Sequence, residues 1–164
     1  MKNKSTLFLV QAAMIGAIYV VLTVVFAPVS FGEVQIRFAE ALTILPFFTP
    51  AAVPGLFVGC LIANILGGAI LPDIIFGSLA TLIGAVGTYL LRKQSRYLAP
   101  LPPIVANMLI VPFVLRYGYG VNLPIPLMML TVGVGEILSC GVLGLLLYYA
   151  LRSQKETIFG HLAA

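Results

Sequence analysis

Charge is what this chain has least of. Only 9% of its 164 residues are charged, nine Lys and Arg against five Asp and Glu, while 61% are hydrophobic. A soluble domain is charged at about one residue in four. A water-facing surface cannot be covered with so few charges, so the bilayer must serve as solvent for most of this chain. Tryptophan is absent and histidine occurs once, as His161. With one terminal histidine there is no Ser-His-Asp set and no His-Glu-x-x-His helix, and a metal site is not expected. There is also no Gly-x-x-x-x-Gly-Lys-Ser/Thr loop, so ATP cannot be used by that route. The two cysteines, Cys60 and Cys140, each lie within an apolar run with no second Cys or His at ligand spacing, and read as small core residues. No cofactor and no enzymatic activity are expected.

The net charge of +4 does not point to nucleic acid, because the basic residues fall in the gaps between apolar runs. That distribution is the positive-inside signal of a multi-pass membrane protein. The run from Leu7 to Ala27 follows Lys2 and Lys4 and resembles a secretory signal, but it has the length of a full span, about 20 residues. It is read as an uncleaved first helix.

Six helices are expected in one domain over residues 1–164. Helix 1 covers 6–27. A second apolar segment, 39–49, contains Pro46 and is short for a straight span. Helix 3 runs over 51–71, loosened at Gly67-Gly68. Asp73, after Pro72, suits the N-cap of helix 4 over 74–91. Helix 5 starts near Pro100, is kinked at Pro112 and ends by Arg116. Tyr117-Gly118-Tyr119-Gly120 reads as a turn with interfacial aromatics, and helix 6 spans 124–151. If Lys2 and Lys4 are cytoplasmic, six crossings put Arg92, Lys93, Arg96, Arg152 and Lys155 inside as well, leaving only Arg37 and Arg116 outside. Both termini are then cytoplasmic. A five-span chain would break that pattern.

Ionisable residues within membrane segments are costly, by about 2.5–3.5 kcal/mol on insertion scales, and mark function by default. Glu40, Asp73 and Glu136 are of this kind, with Glu33, Arg37 and Arg116 near the outer boundary and Asn64 and Asn107 as neutral polar groups at depth. Glu33, Gln35 and Arg37 alternate with Val34, Ile36 and Phe38, a period of two. This suits an extended lid with one polar face, or equally an amphipathic loop at the headgroups. Arg37 and Glu40, three apart, can pair on a starting helix. Glu136 lies about 18 Å into helix 6 at about 1.5 Å per residue, with no basic residue within a turn. It must face the interior. Asp73 reads as a cap or a pocket residue, and the two asparagines as interhelical hydrogen bonds or pocket groups. Carboxylates and amides on different helices suit a ligand rich in N–H and carbonyl groups, such as a nucleobase, because a carboxylate accepts two parallel N–H bonds. On helix 1, Ala13 and Ala17, and beside them Ala12 and Gly16, are small pairs four apart, which permit close helix approach within the bundle or to a partner.

The stretch Val34-Gln-Ile-Arg-Phe-Ala-Glu-Ala-Leu-Thr-Ile-Leu-Pro46, followed by Phe-Phe-Thr-Pro-Ala-Ala-Val-Pro-Gly-Leu-Phe-Val-Gly-Cys-Leu-Ile-Ala-Asn64, resembles the QueT family over nearly the whole chain. Members are substrate-binding S components of energy-coupling factor transporters, associated with uptake of queuosine precursors. The resemblance implies an all-α integral membrane protein with a six-helix, S-component-like bundle. It implies capture of queuine, queuosine or a related 7-deazaguanine compound at the outer face, docking on a transmembrane coupling subunit, and energy from two ATPase subunits. It matches Ala13-x-x-x-Ala17 to the docking motif. Glu40 or Glu136 would then hold the guanine-like N–H edge and Asn64 and Asn107 would read carbonyl or ring nitrogen positions. Arg37 would pair with Glu40 or touch the ligand, and Glu33 or Asp73 would meet a cationic aminomethyl group. The alternative is a stand-alone secondary transporter for a small polar metabolite, with Glu136 as its proton site.

Overall fold

A computed structural model describes residues 4–26 and 37–159. Glu33, Gln35 and His161, and with them the expected lid, lie outside the described residues. What is described is all-helical, without a strand. Helix α1 is Lys4–Val25, and α2, Phe38–Phe47, is wound as a 3-10 helix. Then come α3, Ala52–Leu66, and α4, Leu71–Leu91. Helix α5, Leu101–Gly118, and α6, Ile125–Gln154, each contain a π-wound stretch, and α7, Lys155–Phe159, is a single turn.

Four of these, α1, α4, α5 and α6, are long and apolar enough to cross a membrane, against the six expected. The shortfall lies in α2 and α3. Ten residues at a 3-10 rise of about 2.0 Å reach about 20 Å, and fifteen α-helical residues at about 1.5 Å reach about 23 Å. Both fall short of a hydrocarbon layer about 30 Å thick. Helix α3 stops at Leu66 rather than 71. The chain turns over Gly67 and Gly68, the latter at φ +73°, and Ala69 N–H closes the turn on Asn64 O at 2.9 Å.

Other boundaries moved for local reasons. Pro72 fits the first turn of a helix, so α4 begins at Leu71 with Ile70 as its N-cap. Asp73 therefore sits inside the first turn and caps nothing, contrary to expectation. Helix α5 continues through Pro112 and past Arg116, widening to π winding over Val114–Gly118. Pro112 has no N–H to give the α ladder. Tyr117 and Gly118 thus belong to the helix.

The bundle is apolar outside and polar within. Leu9, Met14, Ile18 and Val21 on α1 and Leu130, Val134 and Ile137 on α6 are exposed, as lipid-facing side chains must be. The buried face of α4 is Asp73, Gly77, Ser78, Ala80, Thr81, Gly84, Ala85 and Thr88, all small or polar. Small residues let helices approach in the absence of a hydrophobic drive between them. A Cβ on Gly59 of α3 would lie 2.9 Å from Gly16 Cα on α1, and one on Gly84 would lie 2.6 Å from Pro103 Cα on α5. Helix α2 is buried on nearly every side and packs against α1, α3, α4 and α6. It brings Glu40 to the middle of the molecule.

Candidate functional site

Glu40 is 1% exposed. It accepts hydrogen bonds on Oε1 from the hydroxyl of Tyr19 on α1 and from Thr81 Oγ1 on α4, the latter at 3.3 Å. Its other carboxylate oxygen, Oε2, is buried with no hydrogen-bond partner. Thr43, one turn on, returns its hydroxyl to Glu40 O at 2.6 Å and fixes the start of α2. Glu136 is 4% exposed and enters from α6. Cys140, four residues later on the same face, donates its thiol to Glu136 Oε2 at 3.1 Å. Ligand atoms of Glu40, Glu136 and Cys140 all lie within 4.8 Å of one another. A π-wound turn follows Glu136 directly, over Ile137–Leu143, and such turns recur at functional sites.

Asn107 of α5 lies beside Glu136, and its Nδ2 makes no hydrogen bond of normal length. Asn64 of α3 directs Nδ2 to Asp73 O at 3.4 Å and leaves Oδ1 unpartnered. Asp73 forms the second centre of this polar interior. Its Oδ2 lies 3.7 Å from Arg37 Nη2 and accepts a 2.9 Å hydrogen bond from Tyr119. Its Oδ1 has no partner. Gly77, one turn along α4, makes room for this group, since a Cβ there would lie 2.8 Å from Asp73 Oδ1.

The interior thus gathers Arg37, Glu40, Asn64, Asp73, Asn107 and Glu136 from five helical segments and the turn into α2. Among the described residues, the ion pair of Arg37 runs to Asp73; the Glu40 side chain goes to Tyr19 and Thr81. Unmade acceptor positions on Glu40, Asn64 and Asp73 and an unmade donor on Asn107 are costly in a dry interior, by about 1–3 kcal/mol each. A polar ligand between the helices would satisfy them. The Glu40–Glu136–Cys140 group also has the donor atoms of a metal site. Sequence reading overlooked Tyr19, Thr81, Cys140 and Tyr119. The Glu136-x-x-x-Cys140 spacing was a usable signal, because residues four apart share a helix face. The small residues of α1 divide between two surroundings. Gly16 is buried against α3, with Ala12 O 2.6 Å from the position of a Gly55 Cβ. Ala13 and Ala17 are exposed in an apolar groove of about 640 Å³ between α1 and α3.

Comparison with known proteins agrees with this architecture. The family model described as QueT transporter matches residues 9–153. The queuosine precursor transporter QueT of Lactococcus lactis subsp. cremoris (strain MG1363) is 34% identical over 85 residues, covering 51% of this chain and 50% of the relative. The match spans about half the length of that curated relative. No solved structure matches the chain. With four apolar helices of spanning length, this is a multi-pass membrane protein, and it belongs to the QueT transporter family.

Proposed function

We propose that the chain is the substrate-binding S component of an energy-coupling factor importer for a queuosine precursor. The observation that carries the reading is the buried facing of Glu40 and Glu136, with unmade acceptors on Glu40 and Asn64 and an unmade donor on Asn107. A 7-deazaguanine offers the complement: an N–H and an amino group side by side for a carboxylate, and a carbonyl for an amide donor. The family match and the printed name of the relative support this class of ligand.

In this reading α2 and α3 complete six crossings as short spans, and both termini are cytoplasmic. The distribution of Lys and Arg supports that count. Arg37 and Asp73 close the outer end of the pocket, with Glu33 and Gln35 on the segment leading to it. The exposed Ala13 and Ala17 form the seat for a transmembrane coupling subunit, which two ATPase subunits drive. Calorimetry on the purified chain tests the reading with queuine, queuosine and the aminomethyl precursor base. Binding of at least one is expected, with no transport unless the coupling and ATPase subunits are present. Failure of all three to bind rejects the ligand class. Uptake into liposomes by this chain alone under a proton gradient would favour a secondary carrier built on Glu136.

A further inference from the structure

At the end of the bundle away from Asp73, the loop between α4 and α5 reaches α6 through Tyr97 and Tyr149 and is tied down. Thr88 Oγ1 donates to Ala99 O at 2.7 Å, and Ser95 Oγ accepts from Tyr97 N–H at 3.3 Å. Three guanidinium groups lie against tyrosine rings here: Arg92 at the end of α4, Arg96 on the loop and Arg152 near the end of α6. Arg92 Cζ lies 3.7 Å from the Tyr89 ring centroid. Arg96 lies 4.9 Å from that of Tyr97 and 5.4 Å from that of Tyr149. Arg152 lies 5.0 Å from the same Tyr149 ring. The Tyr97 and Tyr149 hydroxyls are 3.1 Å apart, and Arg96 Nη2 donates to Tyr97 at 3.2 Å.

Among the described residues no carboxylate pairs with Arg92, Arg96 or Arg152. Positive-inside topology calls only for positive charge near the membrane ends. It does not call for three guanidiniums gathered beside tyrosine rings, of which Arg92 also donates to Tyr89 O at 3.4 Å. Planar forks of this kind recognise phosphate through two parallel bonds. The neighbouring surface is apolar. Leu90 at the end of α4 and Leu98 on the loop are exposed, and Leu146, one turn before Tyr149 on α6, is 61% exposed. Polar heads beside a greasy wall at the end of two spanning helices suit a lipid rather than a soluble anion.

We propose that Arg92, Arg96 and Arg152, with Tyr97 and Tyr149, form a binding site for the phosphate headgroup of an anionic phospholipid. Its acyl chains would lie along Leu90, Leu98 and Leu146. The test uses the full chain purified in detergent, with phosphatidylglycerol or phosphatidylcholine added and retained lipid read by native mass spectrometry. Phosphatidylglycerol should be retained in preference to phosphatidylcholine. Retention should fall by about tenfold or more in R96Q/R152Q, and clearly also in R96K/R152K, which keeps the charge but loses the fork. Inorganic phosphate should not displace the lipid. Equal retention of both lipids, or no loss in R96Q/R152Q, overturns the proposal. Full retention by R96K/R152K overturns it by reducing the cluster to bare charge, and displacement by phosphate does so by making it a soluble-anion site. If R96Q/R152Q does not fold, Y149A removes the ring between two guanidiniums and carries the same expectations.

Discussion

Glu40 and Glu136, from α2 and α6, bring carboxylate oxygens within 4.8 Å of one another inside the bundle. Were both ionised, they would repel by about 3.5 kcal/mol at an effective dielectric of about 20. A ligand edge carrying two N–H donors relieves that repulsion as it binds. Glu136→Gln therefore separates stability from binding. The ligand-free protein should melt no lower than the parent, because the glutamine amide keeps the shape of the carboxyl and sets no charge beside Glu40. Affinity for a 7-deazaguanine should drop by about 10- to 150-fold, the worth of a hydrogen bond to a charged group at about 1.5–3 kcal/mol. Differential scanning fluorimetry and calorimetry read the two effects. A lower melting point with unchanged affinity would show that Glu136 is structural.

Tyr19 is the hydrogen-bond donor that aims Glu40. Its hydroxyl and Thr81 share Oε1, leaving Oε2 buried without a partner. Tyr19→Phe keeps the ring in the α1 packing and deletes only the hydroxyl. The remaining Thr81 contact, at 3.3 Å, is the weaker of the two. Tyr19→Phe should cost about 1–3 kcal/mol of stability and lower affinity as well, while Thr81→Val should do less on both measures. An equal effect of the two substitutions would contradict the assigned geometry.

How much of this was legible beforehand differs residue by residue. Glu40 and Glu136 stood out because charge in an apolar run must be answered within the fold. Their meeting depends on α2 being wound tightly and threaded through the centre, which hydropathy does not encode. Asp73 looked like a cap because Pro-Asp commonly starts helices. The helix starts three residues earlier than expected, at Leu71, and Asp73 was free to face Arg37 and Tyr119. Tyr119 read as an interfacial aromatic for the same reason that it is useful here, a polar tip on an apolar body. Tyr19 and Thr81 carry no charge, so only tertiary structure sets them apart from other tyrosines and threonines. The long apolar helices were legible as spans; α2 and α3 were legible as apolar segments, but α3 ends at the Gly67-Gly68 turn, which hydropathy runs straight through, and neither reaches spanning length.

Gly77 and Asp73 test the end of the polar interior that holds Arg37. Asp73→Ala removes the described anionic partner of a buried Arg37, and breaking a buried pair from one side costs about 3–5 kcal/mol. Gly77→Ala leaves the charge but puts a methyl 2.8 Å from Asp73 Oδ1 and 3.4 Å from Asn64 Nδ2. Crowding of that kind costs about 1–3 kcal/mol. Because both changes act on one carboxylate, the double variant should be less destabilised than the sum of the two. Denaturation in a constant detergent measures the cycle. Strict additivity would mean that Gly77 matters for something other than Asp73.

Finally, α1 carries two kinds of small residue that one experiment can part. Gly16 is buried, and its backbone meets α3 so closely that a Cβ on Gly59 would lie 2.9 Å from Gly16 O. Ala13 and Ala17 sit on the adjoining exposed face, in the groove towards α3. Gly59→Leu should therefore unsettle the bundle itself, lowering the melting point and ligand binding together, because neither backbone can retreat. A13L/A17L should leave melting and ligand affinity unchanged within error. Copurification with the coupling subunit should be lost in A13L/A17L while its melting and ligand binding stay intact, if the groove is the docking face. Co-expression with tagged coupling and ATPase subunits, followed by pull-down, supplies the readout. Intact assembly of A13L/A17L moves the docking surface elsewhere on the bundle.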